Sequence, residues 1–111
     1  MVPSLTPAEA RALDELVASV RALLGAELVE LRLFGSRARG EGHQDSDLDI
    51  AVVVTEPGLA RRRDVHDAAF DIGLEHGVSL APLVLSQRRL DELRARERLL
   101  AADLDREGIV L

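Results

Sequence analysis

The 111-residue sequence predicts an α/β (α+β) domain in which helices flank a small mixed β-sheet. Segments with apolar residues at helical spacing alternate along the chain with short segments rich in β-branched residues. Glycine or proline separates most of these segments. No internal repeat or interdomain linker interrupts the order, so residues 1–111 are expected to form one domain around one core.

The first helix is expected to begin after Thr6, because Thr6-Pro7-Ala8-Glu9 forms a capping-box pattern with proline at the first helical position. Gly25 is expected to end it. Residues 27–34 (ELVELRLF) then alternate apolar and charged side chains, which is typical of a strand with one solvated face. The predicted apolar face of the helix contains Leu13, Leu16, Val17, Val20, Leu23 and Leu24.

The second strand is predicted at residues 47–54 (DLDIAVVV), and its β-branched residues favour a central place in the sheet. Pro57-Gly58 breaks this strand, and residues 59–76 are predicted to form the second helix. The predicted inner face of that helix contains Val65, Ala68, Ala69 and Ile72.

The third strand is predicted at residues 78–86 (VSLAPLVLS), where Pro82 removes a backbone donor and favours an edge strand or a bulge. Ser86 can cap a last helical region that extends to about Glu107, either continuous or in two pieces. Residues 109–111 (IVL) are expected to add a short final strand.

Composition excludes several classes of function. The chain has no cysteine, which excludes disulfides, thiolate metal sites and cysteine nucleophiles. Its formal net charge of −6 and its lack of Trp and Tyr argue against direct nucleic-acid binding. No apolar run approaches the ~20 residues that span a bilayer, and the N-terminus has no signal-peptide pattern, so a cytoplasmic protein is expected.

Two aspartates at the start of the second strand are the candidate metal ligands. Side chains alternate along a strand, so Asp47 and Asp49 should project from one face, roughly 7 Å apart along the chain. Two carboxylates on a rigid strand suit Mg²⁺, which takes one or two protein carboxylates together with substrate phosphates. Asp45 lies in the preceding loop and is expected to cap or turn the chain instead.

The residues just upstream are candidates for holding phosphate. Gly35 would let the backbone approach a ligand closely, and Ser36 adds a hydroxyl donor at a probable helical turn. Arg37 and Arg39 could neutralise phosphate charge. The alternative is that these arginines only pair with carboxylates at a solvated strand end.

The segment GSRARGEGHQDSDLDIAVV resembles the signature of the polymerase β-like nucleotidyltransferase superfamily. In that signature Gly-Ser is followed about ten residues later by Asp-x-Asp, and Gly35-Ser36 and Asp47-Leu48-Asp49 match it with ten residues between Ser36 and Asp47. Arg37, Arg39, Gly40 and Ser46 resemble the minimal nucleotidyltransferase subgroup, and the resemblance extends over nearly the whole chain.

The resemblance implies Mg²⁺-dependent transfer of a nucleoside monophosphate, with ATP the expected donor. It implies that Gly35 and Ser36 hold the triphosphate while Asp47 and Asp49 bind metal. Minimal members often pair with a HEPN-domain protein as toxin and antitoxin, and some adenylylate that toxin. A HEPN-domain protein is therefore the expected partner and acceptor, and a homo-oligomer is also compatible with the sequence. Small-molecule nucleotidylation is a further alternative.

The sequence departs from the family in one respect. Active members carry a third acidic residue on the strand after the second helix, whereas here that strand has Ser79 or Ala81 at the matching place. Asp71 and Glu75 precede it on the helix and are expected to be surface residues. Two hypotheses follow: an enzyme that works with two carboxylates, or a degenerate module that binds nucleotide or partner without catalysis.

Overall fold

The protein forms one mixed four-stranded sheet, seen in a computed structural model that describes residues 5–35, 47–96 and 109–111. The strands lie in the order β3-β2-β1-β4. Strand β1 is antiparallel to β2 and β4, and β3 is parallel to β2, so the predicted mixed sheet is confirmed. The elements are α1 (Pro7–Leu24), β1 (Leu28–Phe34), β2 (Leu48–Val54), α2 (Arg62–His76), β3 (Leu80–Ser86), α3 (Gln87–Arg96) and β4 (Ile109–Val110).

Helix α1 begins as the sequence predicts. The Thr6 hydroxyl accepts a hydrogen bond from the Glu9 backbone N–H at 3.1 Å, and the Glu9 carboxylate accepts one from the Thr6 N–H at 2.9 Å. These reciprocal bonds satisfy two backbone donors that the first turn leaves without helical partners. After the helix, a short 3₁₀ turn at Gly25–Glu27 leads into β1.

The two faces of the sheet have different coverings. Helices α1 and α2 cover one face, where even-numbered residues of β2 such as Ile50 and Val52 are fully buried in the main core. Helix α3 covers part of the other face, where Leu90 packs with Ala51 and Val53. Because β2 is covered on both sides and paired along both edges, its predicted central place is confirmed.

The second helix starts later than predicted. Residues 57–61 form a 3₁₀ turn, and α2 begins at Arg62 instead of residue 59. Gly58 explains the tighter turn: a Cβ there would lie 2.8 Å from the Val54 Cβ, so the chain passes directly against the end of β2. On the inner face of α2, Val65, Ala69 and Ile72 are buried as predicted, whereas Ala68 is half-buried.

Strand β3 lies at the edge of the sheet, as Pro82 predicts. Its last residue, Ser86, caps α3: the Ser86 hydroxyl accepts a hydrogen bond from the Arg89 N–H at 3.0 Å. The predicted continuation of this helix toward Glu107 lies outside the described residues. In the part of the chain that the structure describes, no helix is long and apolar enough to cross a membrane.

Candidate active site

The two candidate metal ligands lie at the beginning of β2. Asp49 is the second residue of the strand and is half-buried, and Asp47 directly precedes the strand and is exposed. Alternation along the strand directs both side chains to the face that α3 partly covers. Of the other candidates, Ser36, Arg37 and Arg39 lie outside the described residues.

Two residues at the end of β1 lie next to Asp49. Phe34 is its partner in the antiparallel register. Gly35 follows with φ = +80°, and a Cβ at this position would lie 2.6 Å from the Asp49 Oδ2. Only glycine satisfies both the left-handed backbone and this close approach. Gly35 therefore lies directly against the Asp49 carboxylate.

The electrostatics of the pair suit a cation. Burial raises the pKa of the Asp49 carboxyl above its ordinary value, and the Asp47 carboxylate raises that pKa further. Both effects disfavour the charged form, and a bound cation would reverse them. The donor set fits Mg²⁺, a hard cation that one or two carboxylates can hold while phosphate oxygens supply further ligands.

The strand register identifies the place of the third acid. Asp49 pairs with Ala81 across the parallel strands β2 and β3, so the Ala81 methyl group lies beside Asp49 on the same face. Ser79, the other candidate, precedes β3, and its carbonyl accepts a hydrogen bond from the Leu48 N–H at 2.9 Å. Among the described residues, no His, Asp or Glu completes a close group of three metal ligands with Asp47 and Asp49.

Such a group does occur elsewhere, in a place that the sequence did not indicate. Ligand atoms of Glu15, Glu75 and His76 all lie within 4.8 Å of one another on the surfaces of α1 and α2. The His76 Nε2 lies 2.5 Å from the Glu15 Oε2, a contact that links the two helices. Sequence spacing could not show it, because Glu15 is 60 and 61 positions away from its two partners.

A surface cavity lies away from the aspartates. It has a volume of about 550 Å³ and lies between α3, the 3₁₀ turn and the carboxyl-terminal half of β3. Arg62, Ser86 and Arg89 are among its lining residues. Since β2 and β3 are parallel and Asp49 is at the start of β2, this cavity is at the opposite end of the strands.

Two carboxylates at the start of a central strand, beside a glycine, are an arrangement that suits metal-assisted transfer of a phosphate-linked group. The chain belongs to the nucleotidyltransferase domain family, whose profile matches residues 13–101. The family expected from the sequence is thereby confirmed.

Individual relatives agree with this assignment. A Methanocaldococcus jannaschii protein, provisionally named a protein adenylyltransferase, is 35% identical over 83 residues. The match covers 70% of this chain and 55% of the relative, so the chain spans about half of the relative's length.

Solved structures share the fold. One of them, provisionally described as a minimal nucleotidyltransferase, is 30% identical to this chain and has a TM-score of 0.56. That match covers 92% of this chain and 90% of the other. A toxin–antitoxin crystal structure with AMP-PNP has a TM-score of 0.58 at 22% identity, over 87% of this chain and 69% of that one. The chain thus belongs to the minimal branch of the nucleotidyltransferase family.

The raised pKa of Asp49 predicts a pH-dependent stability. Without metal, the folded chain keeps a proton on Asp49 at pH values where the unfolded chain has lost it, that is, from the ordinary value of 3.8 upward to the raised one. Stability therefore falls as pH rises through this window, and the cost persists at neutral pH. In EDTA, we expect Asp49→Asn to have a higher Tm than wild type at pH 7, with the difference shrinking toward pH 3.5.

Thermal unfolding of matched samples measures this difference, with Asp14→Asn, an exposed carboxylate on α1, as the control. Wild type and Asp49→Asn share every other carboxylate, so the difference between their Tm values reports on Asp49 alone. If Asp49→Asn is less stable than wild type at pH 7, the Asp49 carboxylate is well solvated or paired in the folded chain, which contradicts the prediction.

Proposed function

We propose that this protein transfers AMP from ATP to a hydroxyl group of a partner protein in a Mg²⁺-dependent reaction. The observation that carries the proposal is the contact of Gly35 with Asp49. It brings the glycine next to one of the two carboxylates that would bind the metal. Asp47 and Asp49 would hold the cation. When bound, that cation would neutralise triphosphate charge and orient the α-phosphorus for in-line attack.

In this proposal, the other candidate residues act on the nucleotide. Gly35 lets the triphosphate approach the backbone, and Ser36 donates a hydrogen bond to it. Arg37 and Arg39 balance its charge. The acceptor hydroxyl oxygen forms a bond to the α-phosphorus and loses its proton to a base on the acceptor or to solvent, while the bond from the α-phosphorus to the pyrophosphate oxygen breaks.

We further propose that the acceptor is a HEPN-domain protein encoded beside this chain, in a toxin–antitoxin pair. The relative named as a protein adenylyltransferase supports a protein acceptor, and the fold shared with a toxin–antitoxin structure is consistent with it.

The test is transfer of label from ATP labelled at the α-phosphate to the purified HEPN-domain protein in the presence of Mg²⁺. We expect label on the partner, none in EDTA, and none with Asp47→Ala/Asp49→Ala. The control Asp14→Ala/Asp64→Ala removes two exposed carboxylates from α1 and α2 and should transfer normally. Label transfer that is undiminished without Asp47 and Asp49 would contradict the proposal.

One observation favours a second function. Ala81 supplies no carboxylate beside Asp49, so the chain could neutralise its partner by binding alone. In that case the Asp47→Ala/Asp49→Ala variant would still neutralise the toxin in cells. Strict dependence of neutralisation on the two aspartates would exclude this second function.

A further inference from the structure

A groove runs between the second half of α2 and the start of β3. Its volume is about 360 Å³. Because β3 is an edge strand, the groove opens at the side of the sheet. Apolar side chains and glycines form nearly all of its lining, which consists of Ala69, Phe70, Gly73, Leu74, Gly77, Val78, Ser79 and Leu80.

Two large apolar side chains on the rim of this groove face solvent. Phe70 is 65% exposed and Leu74 is 69% exposed, whereas Ile72, between them in sequence, is 6% exposed in the core. Residues four apart lie together on one helix face, so Phe70 and Leu74 form a continuous apolar surface above the groove. Burial of aromatic and leucine side chains against a partner stabilises the complex.

The groove reaches the end of the sheet at which the candidate active site lies, but on the α2 face, whereas Asp47 and Asp49 point to the α3 face. Its lining residue Ser79 accepts, through its carbonyl, the hydrogen bond from the Leu48 N–H at 2.9 Å. Leu48 lies between Asp47 and Asp49 in the chain. A partner in the groove that extends past this end of the sheet would therefore reach the exposed Asp47.

Charge around the groove indicates the chemistry of the occupant. Asp67 and Asp71 are exposed on α2 and lie three residues before Phe70 and Leu74, respectively, so they border the apolar surface on the helix. Phosphate groups of a nucleic acid would be repelled here.

We infer that this groove is the docking surface for the protein acceptor, whose contacting surface is apolar with a rim of Lys and Arg. The inference rests on the proposed function, since it assigns a place to the acceptor of that reaction. An acceptor on α2 and β3 that extends past this end of the sheet would bring its hydroxyl group to Asp47 and Asp49 at the start of β2.

The test measures affinity for the HEPN-domain protein by calorimetry, without nucleotide, for wild type and for Phe70→Ser/Leu74→Ser. We expect the Kd to rise by about 30-fold or more, the effect of losing a central apolar contact. Binding of a Mg²⁺–ATP analogue should stay within about twofold of wild type. Asp67→Lys/Asp71→Lys should also weaken partner binding and reduce its dependence on salt.

The matched control is Val29→Ser/Val110→Ser, which removes two exposed valines from other strands and should leave the Kd unchanged. An unchanged Kd in Phe70→Ser/Leu74→Ser would overturn the inference, and so would a wild-type chain that does not bind this partner. A homodimer that the same substitutions dissociate would identify a second copy as the occupant. Groove-dependent binding without label transfer would uphold the docking surface while refuting the proposed reaction.

Discussion

Replacement of Ala81 by Asp is expected to accelerate nucleotidyl transfer by about 10²-fold to 10⁴-fold, the usual contribution of a positioned general base. The register places residue 81 directly beside Asp49 on the same face of the sheet. An aspartate at residue 81 would lie where active members of the family carry their third acidic residue. It could take the proton of the acceptor hydroxyl. The measurement is the single-turnover rate of label transfer at saturating Mg²⁺ and ATP.

Ala81→Asn is the matched control, because it has nearly the same size without a proton-accepting carboxylate. It should transfer no faster than wild type. If Ala81→Asp and Ala81→Asn have equal rates, the proton leaves by another route, such as a base on the acceptor. In EDTA, the added carboxylate should lower the Tm of Ala81→Asp, since a third negative charge then repels Asp49.

Gly35→Ala is expected to reduce transfer by about 10²-fold or more. The new Cβ would lie 2.6 Å from the Asp49 Oδ2, so the carboxylate must move away from its position beside the glycine turn. Displacement of a ligating group by about 1 Å is enough to cost roughly 10²-fold in rate. Nucleotide affinity in the presence of Mg²⁺ should fall as well.

Gly25→Ala is the control for backbone strain. Gly25 also has a positive φ, +52°, but a Cβ there would meet nothing within 4 Å. Both substitutions should cost about 1–2 kcal/mol of stability from the left-handed backbone, whereas only Gly35→Ala should lose activity. Equal activity in the two variants would show that Asp49 can move without consequence.

The sequence predicted most of the fold because local signals and the final structure agree. The capping pattern at Thr6 and Glu9 forms the bonds that it indicates. Pro82 predicted an edge strand because a residue without an N–H cannot complete a central ladder, and β3 lies at the edge. The predicted start of α2 was wrong, because the close packing of Gly58 against Val54 is a tertiary contact that the local sequence does not show.

For the candidate site, the sequence predicted Asp47, Asp49 and Gly35, a prediction that awaits its test, and it left two places open for the missing acid. Only the pairing of β2 with β3 shows that Ala81, and not Ser79, lies beside Asp49. The apolar surface of Phe70 and Leu74 was not predicted either. Helical periodicity marks which residues share a face, but which face the sheet covers follows from the assembled fold.

The most direct test of the metal site is a crystal structure with Mn²⁺ and a non-hydrolysable ATP analogue, in which anomalous scattering locates the ion. The proposal predicts an ion bound by carboxylate oxygens of Asp47 and Asp49 at roughly 2.1 Å, the distance typical of Mg²⁺ sites, with the triphosphate against Gly35. An ion found only among Glu15, Glu75 and His76, with no nucleotide at Gly35, would contradict it.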